Sequence, residues 1–212
     1  MEYKIRDSLI EEKIKTARSD RFFYVVAAVL CLIFLTLLYL NTYVFACVIV
    51  KGPSMENTMF TDDVLIINTR VKGDYGDIVV INGEKENGEK IIKRIIAKGG
   101  DSLKFAGGYV YLKKADEATF TKLDEPYIKK QGATYYPSAT SPTDIAESAV
   151  IVIPEGEIYY LGDNRTNSSD SRSSFGTCTV SQIWGTVTPW ALSARPFMNF
   201  INKILNFGKA AH

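Results

Sequence analysis

The chain opens with charged residues, continues through a long apolar segment, and then alternates between short apolar runs and turn residues. Residues 22–40 carry no charge, and Thr36 is their only strongly polar side chain. A helix of this length spans roughly 28 Å, close to the hydrocarbon core of a bilayer. A buried core helix would normally keep a polar stripe, which this segment lacks. The pattern therefore predicts a transmembrane helix over residues 22–40.

Basic residues are concentrated on one side of this segment. Those that precede it are Lys4, Arg6, Lys13, Lys15, Arg18 and Arg21. Only Lys51 is basic between residues 41 and 69, so the positive-inside rule predicts a cytoplasmic segment 1–21 and an extracytoplasmic domain 41–212. A cleavable signal peptide is the alternative, but its apolar region would be shorter, about 7–15 residues. We expect a single-pass protein of the cell membrane with an uncleaved anchor.

The remainder of the chain predicts a mainly β domain, because short apolar runs alternate with glycine and polar turns. The predicted strands are residues 43–50, 64–68, 78–81, 91–97, 109–112, 150–153, 158–161 and 183–187. Residues 104–150 are predicted to form a small inserted β subdomain, with a polar stretch at 113–149 and a flexible loop near 131–148. Short amphipathic helices are predicted over residues 1–20 and over residues 197–208, the second resting on the membrane or on the domain.

Composition excludes several classes of function. The net charge of +1 gives no reason to propose a nucleic-acid partner. Cys31, Cys47 and Cys178 form no C-x-x-C pair and the only histidine is His212, so a zinc site would have too few ligands. Dinucleotide and phosphate-loop patterns are absent, and we predict neither a metal nor a cofactor. Only Cys47 and Cys178 could pair outside the membrane segment, and free, buried thiols are the interpretation that we favour.

Ser54 and Lys93 are the candidate catalytic residues. Ser54 lies a few residues beyond the membrane segment, and the position of His212 at the chain terminus argues against a Ser-His-Asp triad. Lys93 lies in a predicted strand between apolar residues 91–92 and 95–96. A lysine pKa of ~10.4 falls on burial, so that a buried amine could deprotonate a serine. The alternative for Lys93 is an ordinary solvated strand face.

A polar run from Leu161 to Arg172 follows another predicted strand. It could hold an ion pair, such as Asp170 with Arg172 or with Arg165, or it could be a polar surface turn. A calcium-binding loop starting at residue 163 is excluded, because its sixth position holds serine rather than glycine and its twelfth holds serine rather than glutamate.

Together these runs resemble the bacterial type I signal peptidases. The matching segments, in the family's order, are Gly52-Pro53-Ser54-Met55 with Thr58, Gly76–Val79, Lys93–Ile96 with Gly99–Asp101, Gly107–Tyr111, Glu125–Ile128 and Gly162–Arg172. The resemblance covers about residues 44–190. It implies a signal-peptidase-like β fold with a small inserted β subdomain, preceded by one transmembrane helix. It also implies a serine-lysine endopeptidase that removes signal peptides from secretory preproteins after Ala-x-Ala-like sites beside the lipid bilayer, without metal or cofactor.

The resemblance also assigns roles to individual residues. Ser54 is implied to be the nucleophile, Lys93 the general base and Ser168 the residue that orients the lysine amine. The residues implied to support the site are Asp163, Asn164, Asp170 and Arg172. The oxyanion hole would use the backbone N–H of Ser54, whereas Gly52 stands where some relatives have a serine donor. Because glycine has no side chain, any second donor to the oxyanion hole must be a backbone group, a water or another side chain. Asn57 stands where the family often has proline.

Two rival functions follow from the same residues. A self-cleaving serine-lysine protein related to the SOS repressors would need a DNA-binding domain and an internal cleavage site, and the predicted anchor argues against it. A non-catalytic, membrane-tethered β domain that binds exported peptides is the second rival. Retention of Ser54, Lys93 and Ser168 together argues against it.

Overall fold

The computed structural model describes residues 2–83, 88–135, 149–173 and 175–205 of the chain. They belong to two compact units, Met1–Val44 and Phe45–His212. The first unit is a single helix, α1 (Glu2–Tyr43), whose segment Asp20–Leu40 is long and apolar enough to cross a membrane. The separate short helix expected over residues 1–20 is wrong, since that segment is the first part of α1. Neither glycine nor proline occurs before Gly52, so nothing in the sequence interrupts the helix.

The second unit is mainly β, as predicted. Its strands are β1 (Phe45–Ile49), β2 (Val64–Asn68), β3 (Ile78–Asn82), β4 (Lys90–Lys98), β5 (Ser102–Ala106), β6 (Tyr109–Lys113), β7 (Thr121–Lys122), β8 (Ile151–Val152), β9 (Glu157–Leu161), β10 (Cys178–Thr179) and β11 (Ile183–Val187). A short 3₁₀ helix covers Val180–Gln182, and the last element is α2 (Pro189–Leu205). The sequence pattern missed β5, β7 and β10, two of which are only two residues long. The strand predicted from residue 43 begins instead at Phe45, because Tyr43 still belongs to α1.

Two antiparallel sheets make up this unit. The larger sheet has seven strands in the order β1-β2-β11-β3-β4-β9-β10, which places β1 and β10 at its edges. The smaller sheet has four strands in the order β7-β6-β5-β8 and lies between β4 and β9 in the chain. It occupies the part of the sequence for which an inserted subdomain is predicted over residues 104–150. Most of the flexible loop predicted near 131–148 lies outside the described residues.

The centre of the larger sheet is buried on both faces. Residues Ile78 to Ile81 of β3 are all buried, which explains their continuous apolar run. Met55 and Met59 are fully buried in the same cluster as Leu65 and Ile67 of β2. The turn that carries Ser54 is therefore anchored in the core by two methionines that follow Ser54 in the chain.

The C-terminal helix α2 begins at Pro189, rather than at residue 197 as the apolar spacing predicts. Proline is favourable at the first helical position, where its missing N–H has no intrahelical partner. Pro196 lies inside the helix, where proline usually interrupts helical hydrogen bonding, so the sequence pattern before it gives little helical signal. Residues 206–208 of the predicted helix lie outside the described residues.

None of the three cysteines forms a disulfide, as we favoured from the sequence. Cys31 and Cys47 are exposed, whereas Cys178 is buried, so the expected burial is wrong for Cys47. Within the described residues, no group of three or more His, Cys, Asp or Glu side chains is arranged to hold a metal ion.

We expect Gly108→Ala to destabilise the second unit much more than Gly156→Ala. Both glycines have positive φ, +78° and +76°, and an alanine there costs about 1 kcal/mol or more. At Gly108, however, the new Cβ would lie 2.0 Å from the carbonyl oxygen of Gly132, whereas at Gly156 nothing lies within 4 Å. Urea unfolding of the full chain in detergent, followed by circular dichroism, measures the difference. Equal losses in the two variants would contradict the backbone clash.

Candidate active site

Ser54 lies on a tight turn that follows β1. The N–H of Glu56 donates to the carbonyl of Pro53 at 3.0 Å, and the N–H of Met59 donates to that of Met55 at 3.0 Å. Asn57 has a φ of +86°, which the ring of proline cannot adopt. A family member with proline at this position must therefore have a different backbone conformation there, so the replacement by Asn57 changes more than the rigidity of the turn.

Lys93 reaches Ser54 from the middle of the larger sheet. It is buried, with 4% of its surface exposed, and pairs with Val79 across the β3–β4 ladder. Its Nζ donates to Ser54 Oγ at 2.9 Å and to the carbonyl of Ile92 at 3.0 Å. The solvated strand face considered for Lys93 is therefore wrong. The structure brings together the two residues that the sequence singled out, although they are far apart in the chain.

The polar run after β9 lies directly against Ser54. The backbone N–H of Asn164 donates to the carbonyl of Ser54 at 3.0 Å, and its side-chain amide donates to the carbonyl of Pro53 at 3.1 Å. A Cβ added to Gly162 would lie 2.5 Å from the carbonyl oxygen of Ser54 and 2.2 Å from Ser168 Oγ. This run is thus part of the site and not a surface turn, and its approach to Ser54 requires glycine at position 162.

Ser168 is close to this contact. Its hydroxyl is buried and has no hydrogen-bond partner of standard geometry in the described part of the chain. It is near enough to Asp170 to help lower the pKa of that carboxyl. The structure therefore holds Ser168 beside the site, with its hydroxyl close to Asp170 and to Gly162.

Asp163 joins three parts of the site. It forms a buried ion pair with Arg94, whose Nη2 lies 2.6 Å from Asp163 Oδ2. The same carboxylate accepts a hydrogen bond from the hydroxyl of Thr58, on the turn that carries Ser54. Arg94 also donates to the carbonyl of Gly76 at 2.6 Å and stacks 3.8 Å from the ring centre of Tyr127. Burial by itself would lower the pKa of Arg94, but the bond to Asp163 outweighs it and raises that pKa.

Asp170 and Arg172 form the ion pair that the sequence allowed, with Nε and Oδ1 2.8 Å apart. Asp170 also accepts a hydrogen bond from the N–H of Gly162 at 3.0 Å, which fixes that glycine beside Ser54. Burial raises the pKa of the Asp170 carboxyl, but the bonds from Arg172 and Gly162, together with the nearby Ser168 hydroxyl, lower it below its ordinary value. This carboxylate thus stays ionised although it is completely buried.

Arg165 pairs with Glu125 rather than with Asp170, and sequence reasoning missed this contact. Both side chains are buried, and Arg165 also donates to the Thr134 hydroxyl at 2.8 Å. Glu125 further accepts a hydrogen bond from the Tyr127 hydroxyl at 2.9 Å, and burial together with this carboxylate raises the pKa of Tyr127. The pair ties the long excursion between β6 and β8 to the loop that carries Ser168. The sequence showed the motif Glu125–Ile128, but it did not show that Glu125 pairs with Arg165.

A cleft of about 560 Å³ leads to the two catalytic candidates. One wall is formed by β1 residues Cys47 to Ile49, and the other by β4 residues Lys90 to Ile92. Trp184 contributes to the lining, with the amine of Lys90 4.3 Å from its ring centre. Because β1 is an edge strand of the sheet, its outer backbone groups are suited to pairing with an extended peptide.

Two backbone donors lie at the rim of this cleft. Neither the N–H of Gly52 nor that of Ser54 donates to another backbone group among the described residues. Pro53 lies between them and has no N–H of its own. Gly52 is exposed and has a φ of +79°, a conformation that favours glycine.

The chain is similar to proteins of known family. A family model described as signal peptidase, peptidase S26, matches residues 22–191. Signal peptidase I of Bacillus amyloliquefaciens is 32% identical over 179 residues, which cover 82% of this chain and 90% of that protein. Signal peptidase I S of Bacillus subtilis strain 168 is 32% identical over 173 residues, covering 76% and 82%. A crystal structure of a signal peptidase I from Enterococcus faecalis V583 is 24% identical with a TM-score of 0.41, covering 56% of this chain and 98% of that one.

The family match includes the turn that carries Ser54, β4 and the loop after β9, and the relatives align over most of their length. This chain therefore belongs to the signal peptidase family, peptidase S26.

Proposed function

We propose that this chain is a membrane-bound serine endopeptidase that removes N-terminal signal peptides from exported preproteins with a Ser54–Lys93 dyad. The observation that carries the proposal is the 2.9 Å contact between the buried amine of Lys93 and Ser54 Oγ at the cleft. No histidine other than His212 is present in the sequence to take the serine proton. Lys93 is then the base that the site offers to Ser54.

Lys93 acts as a base only when its amine is neutral. Burial disfavours the charged ammonium, so the sheet interior favours the form that accepts a proton. The neutral amine takes the proton of Ser54 as Oγ attacks the scissile carbonyl, and the ammonium then protonates the leaving amine. Water hydrolyses the acyl-enzyme, with Lys93 again as the base. All protons pass through the one nitrogen, so no metal or cofactor is needed.

The proposed roles of the other residues follow from their positions. The N–H groups of Ser54 and Gly52 are suited to form the oxyanion hole, where one donor contributes about 10²–10³ in rate. The buried hydroxyl of Ser168, which lies beside Gly162, is suited to orient the Lys93 amine during the reaction. Asp163, Asn164, Asp170 and Arg172 act as supports, since their contacts hold Thr58, Pro53 and Gly162 in place. In this mechanism these four supporting residues do not contact the substrate.

An extended preprotein segment fits the cleft. It would add to the edge of β1, with alternate side chains pointing towards the walls. The apolar lining near Ser54 comes from Val48, Val50, Met55, Ile91 and Ile92. Such walls accept small apolar side chains, which agrees with the proposed Ala-x-Ala-like sites. In this arrangement α1 spans the lipid bilayer with a cytoplasmic N-terminus, and the second unit lies outside.

We expect Ser54→Ala and Lys93→Ala each to reduce preprotein cleavage by at least about 10³-fold, because each removes an obligatory partner of one step. Cleavage of a preprotein with an Ala-x-Ala site, assayed in detergent, measures this. Ser181→Ala and Lys130→Ala, at exposed positions, are the matched controls and should keep full activity. Near wild-type turnover of Lys93→Ala would disprove the dyad. A wild-type chain that binds the preprotein without cutting it would support the non-catalytic alternative.

The rate should rise with pH. Only the neutral Lys93 amine accepts the serine proton, so kcat falls as pH drops through the pKa of that amine in the substrate complex. Steady-state cleavage at a series of pH values measures the profile. His212→Ala is the control, because a histidine titrates near pH ~6.5 and its removal should leave the profile unchanged. A rate that stays constant down to about pH 5 would contradict a lysine base.

We expect Gly162→Ala to lower kcat by about 10²-fold, because its methyl group would displace the Ser54 carbonyl and Ser168, and small misplacements at a site are costly. Gly176→Ala, with no atom within 4 Å of its Cβ, is the matched control. Cleavage assays beside thermal unfolding of each variant separate activity from stability. Full activity of a folded Gly162→Ala would show that the tight approach is unnecessary.

A further inference from the structure

The cleft has a second end, away from Ser54, that the proposed mechanism does not use. Strands β1 and β4 run in the same direction, because the four pairings that connect them through β2, β11 and β3 are all antiparallel. Ser54 follows β1, and Lys93 comes three residues after Lys90, the first residue of β4. Cys47 and Lys90 therefore line the opposite end of the cleft. At ~3.3 Å per residue, Lys90 lies roughly 10 Å along β4 from Lys93.

An irregularity in β11 directs Trp184 into this end of the cleft. Ile183 pairs with Ile81 and Gly185 pairs with Val80, so Trp184 is the extra residue of a β-bulge. Bulges of this kind change the direction of a side chain. The indole is half-buried, packs against the core cluster that contains Val80, and lines the cleft. An interior strand of the sheet thus supplies an aromatic wall to the cleft.

Lys90 is held at this wall with its charge exposed. Its amine lies 4.3 Å from the ring centre of Trp184, a cation–π contact. Ile92 packs in the same cluster as Trp184, and residues two apart in a strand share a face. In the described part of the chain the Lys90 amine forms no ion pair, and the carboxylate of Glu89, which also lines the cleft, does not pair with it. The ammonium is therefore positioned and open to an anionic partner.

We propose that Lys90, positioned by Trp184, is a specificity-determining residue that favours an acidic side chain at the fifth residue before the scissile bond. The proposal rests on the proposed function, in which an extended preprotein segment occupies the cleft. Every second side chain of such a segment faces the same wall. The two small residues of an Ala-x-Ala-like site occupy the positions of this wall nearest Ser54, which Val50 and Ile92 line.

The next substrate residue on this side is the fifth before the scissile bond. It lies roughly 13 Å from the residue that carries the scissile carbonyl, within reach of the Lys90 side chain. A carboxylate there meets the ammonium from the open side of the cleft, while Trp184 covers the other side. Because this ion pair is partly exposed to solvent, its effect on affinity is a few-fold rather than absolute. A basic side chain at the same position is repelled.

Peptide binding to the full chain in detergent tests the proposal. Three fluorescently labelled peptides span one Ala-x-Ala site and differ only in glutamate, glutamine or lysine at the fifth residue before the scissile bond. Their affinities for Ser54→Ala, which removes the nucleophile, are measured by fluorescence anisotropy. We expect the glutamate peptide to bind about three- to fivefold more tightly than the glutamine peptide, and the lysine peptide most weakly. Added salt should reduce these differences.

Variants of Lys90 assign the preference to this amine. In the Ser54→Ala chain, Lys90→Met keeps the length of the side chain and should equalise the three affinities, whereas Lys90→Arg should preserve the preference and Lys90→Glu should reverse it. Lys130→Glu makes the same change of net charge at an exposed position outside this cleft and should leave the preference intact. Thermal unfolding of each variant shows whether it folds. Moving the three residues to the fourth position before the bond, which faces away from this wall, should abolish the differences.

Equal affinities of the three peptides for the Ser54→Ala chain would overturn the proposal, as would a preference that persists in folded Lys90→Met. Loss of the preference in Lys130→Glu would also overturn it, because overall charge would then be the cause. Cleavage of the same peptides by the chain with Ser54 intact should follow the order of affinities in kcat/KM. Absence of any cleavage, with the binding preference preserved, would contradict the proposed peptidase function and support the Lys90 subsite alone.

Discussion

The hydrogen bond between Lys93 Nζ and Ser54 Oγ depends on the burial of an amine in the middle of a β-sheet. A lysine in that position costs free energy unless its amine finds hydrogen-bond partners or becomes neutral. The serine hydroxyl and the Ile92 carbonyl supply partners, and β3 and β4 fix the base of the side chain. The turn that carries Ser54 is held in place by Met55 and Met59, which follow Ser54 in the chain and are buried in the core.

Three buried ion pairs hold the loop after β9 against the turn that carries Ser54. Arg94, Arg165 and Arg172 each pair with a carboxylate, and each pair joins segments from different parts of the chain or closes the loop itself. Breaking one partner of a buried pair leaves an uncompensated charge, so each pair acts as a strict positional constraint. Gly162 is also required, because only a residue without a side chain lets this loop contact the Ser54 carbonyl.

Helix α2 is held against the same region by both apolar and polar contacts. Ala191 and Leu192 pack on the cluster that contains Met55 and Met59. Asn199 and Arg195 bond to Asp63 and Thr58, so the orientation of α2 depends on the turn that carries Ser54. The large apolar side chains Trp190, Phe197, Phe200 and Ile204 are left on the exposed face of this helix.

The sequence by itself determined the long apolar helix, the mainly β character of the rest and the candidate residues Ser54 and Lys93. These features depend on local composition and short motifs, which periodicity and residue chemistry reveal directly. The sequence missed β5, β7 and β10, the start of α2 and the Glu125–Arg165 pair. Short strands and buried ion pairs are stabilised by partners distant in the chain, so no local pattern encodes them. Only the tertiary structure decided that Lys93 is buried at 2.9 Å from Ser54, because antiparallel pairing of distant strands creates that proximity.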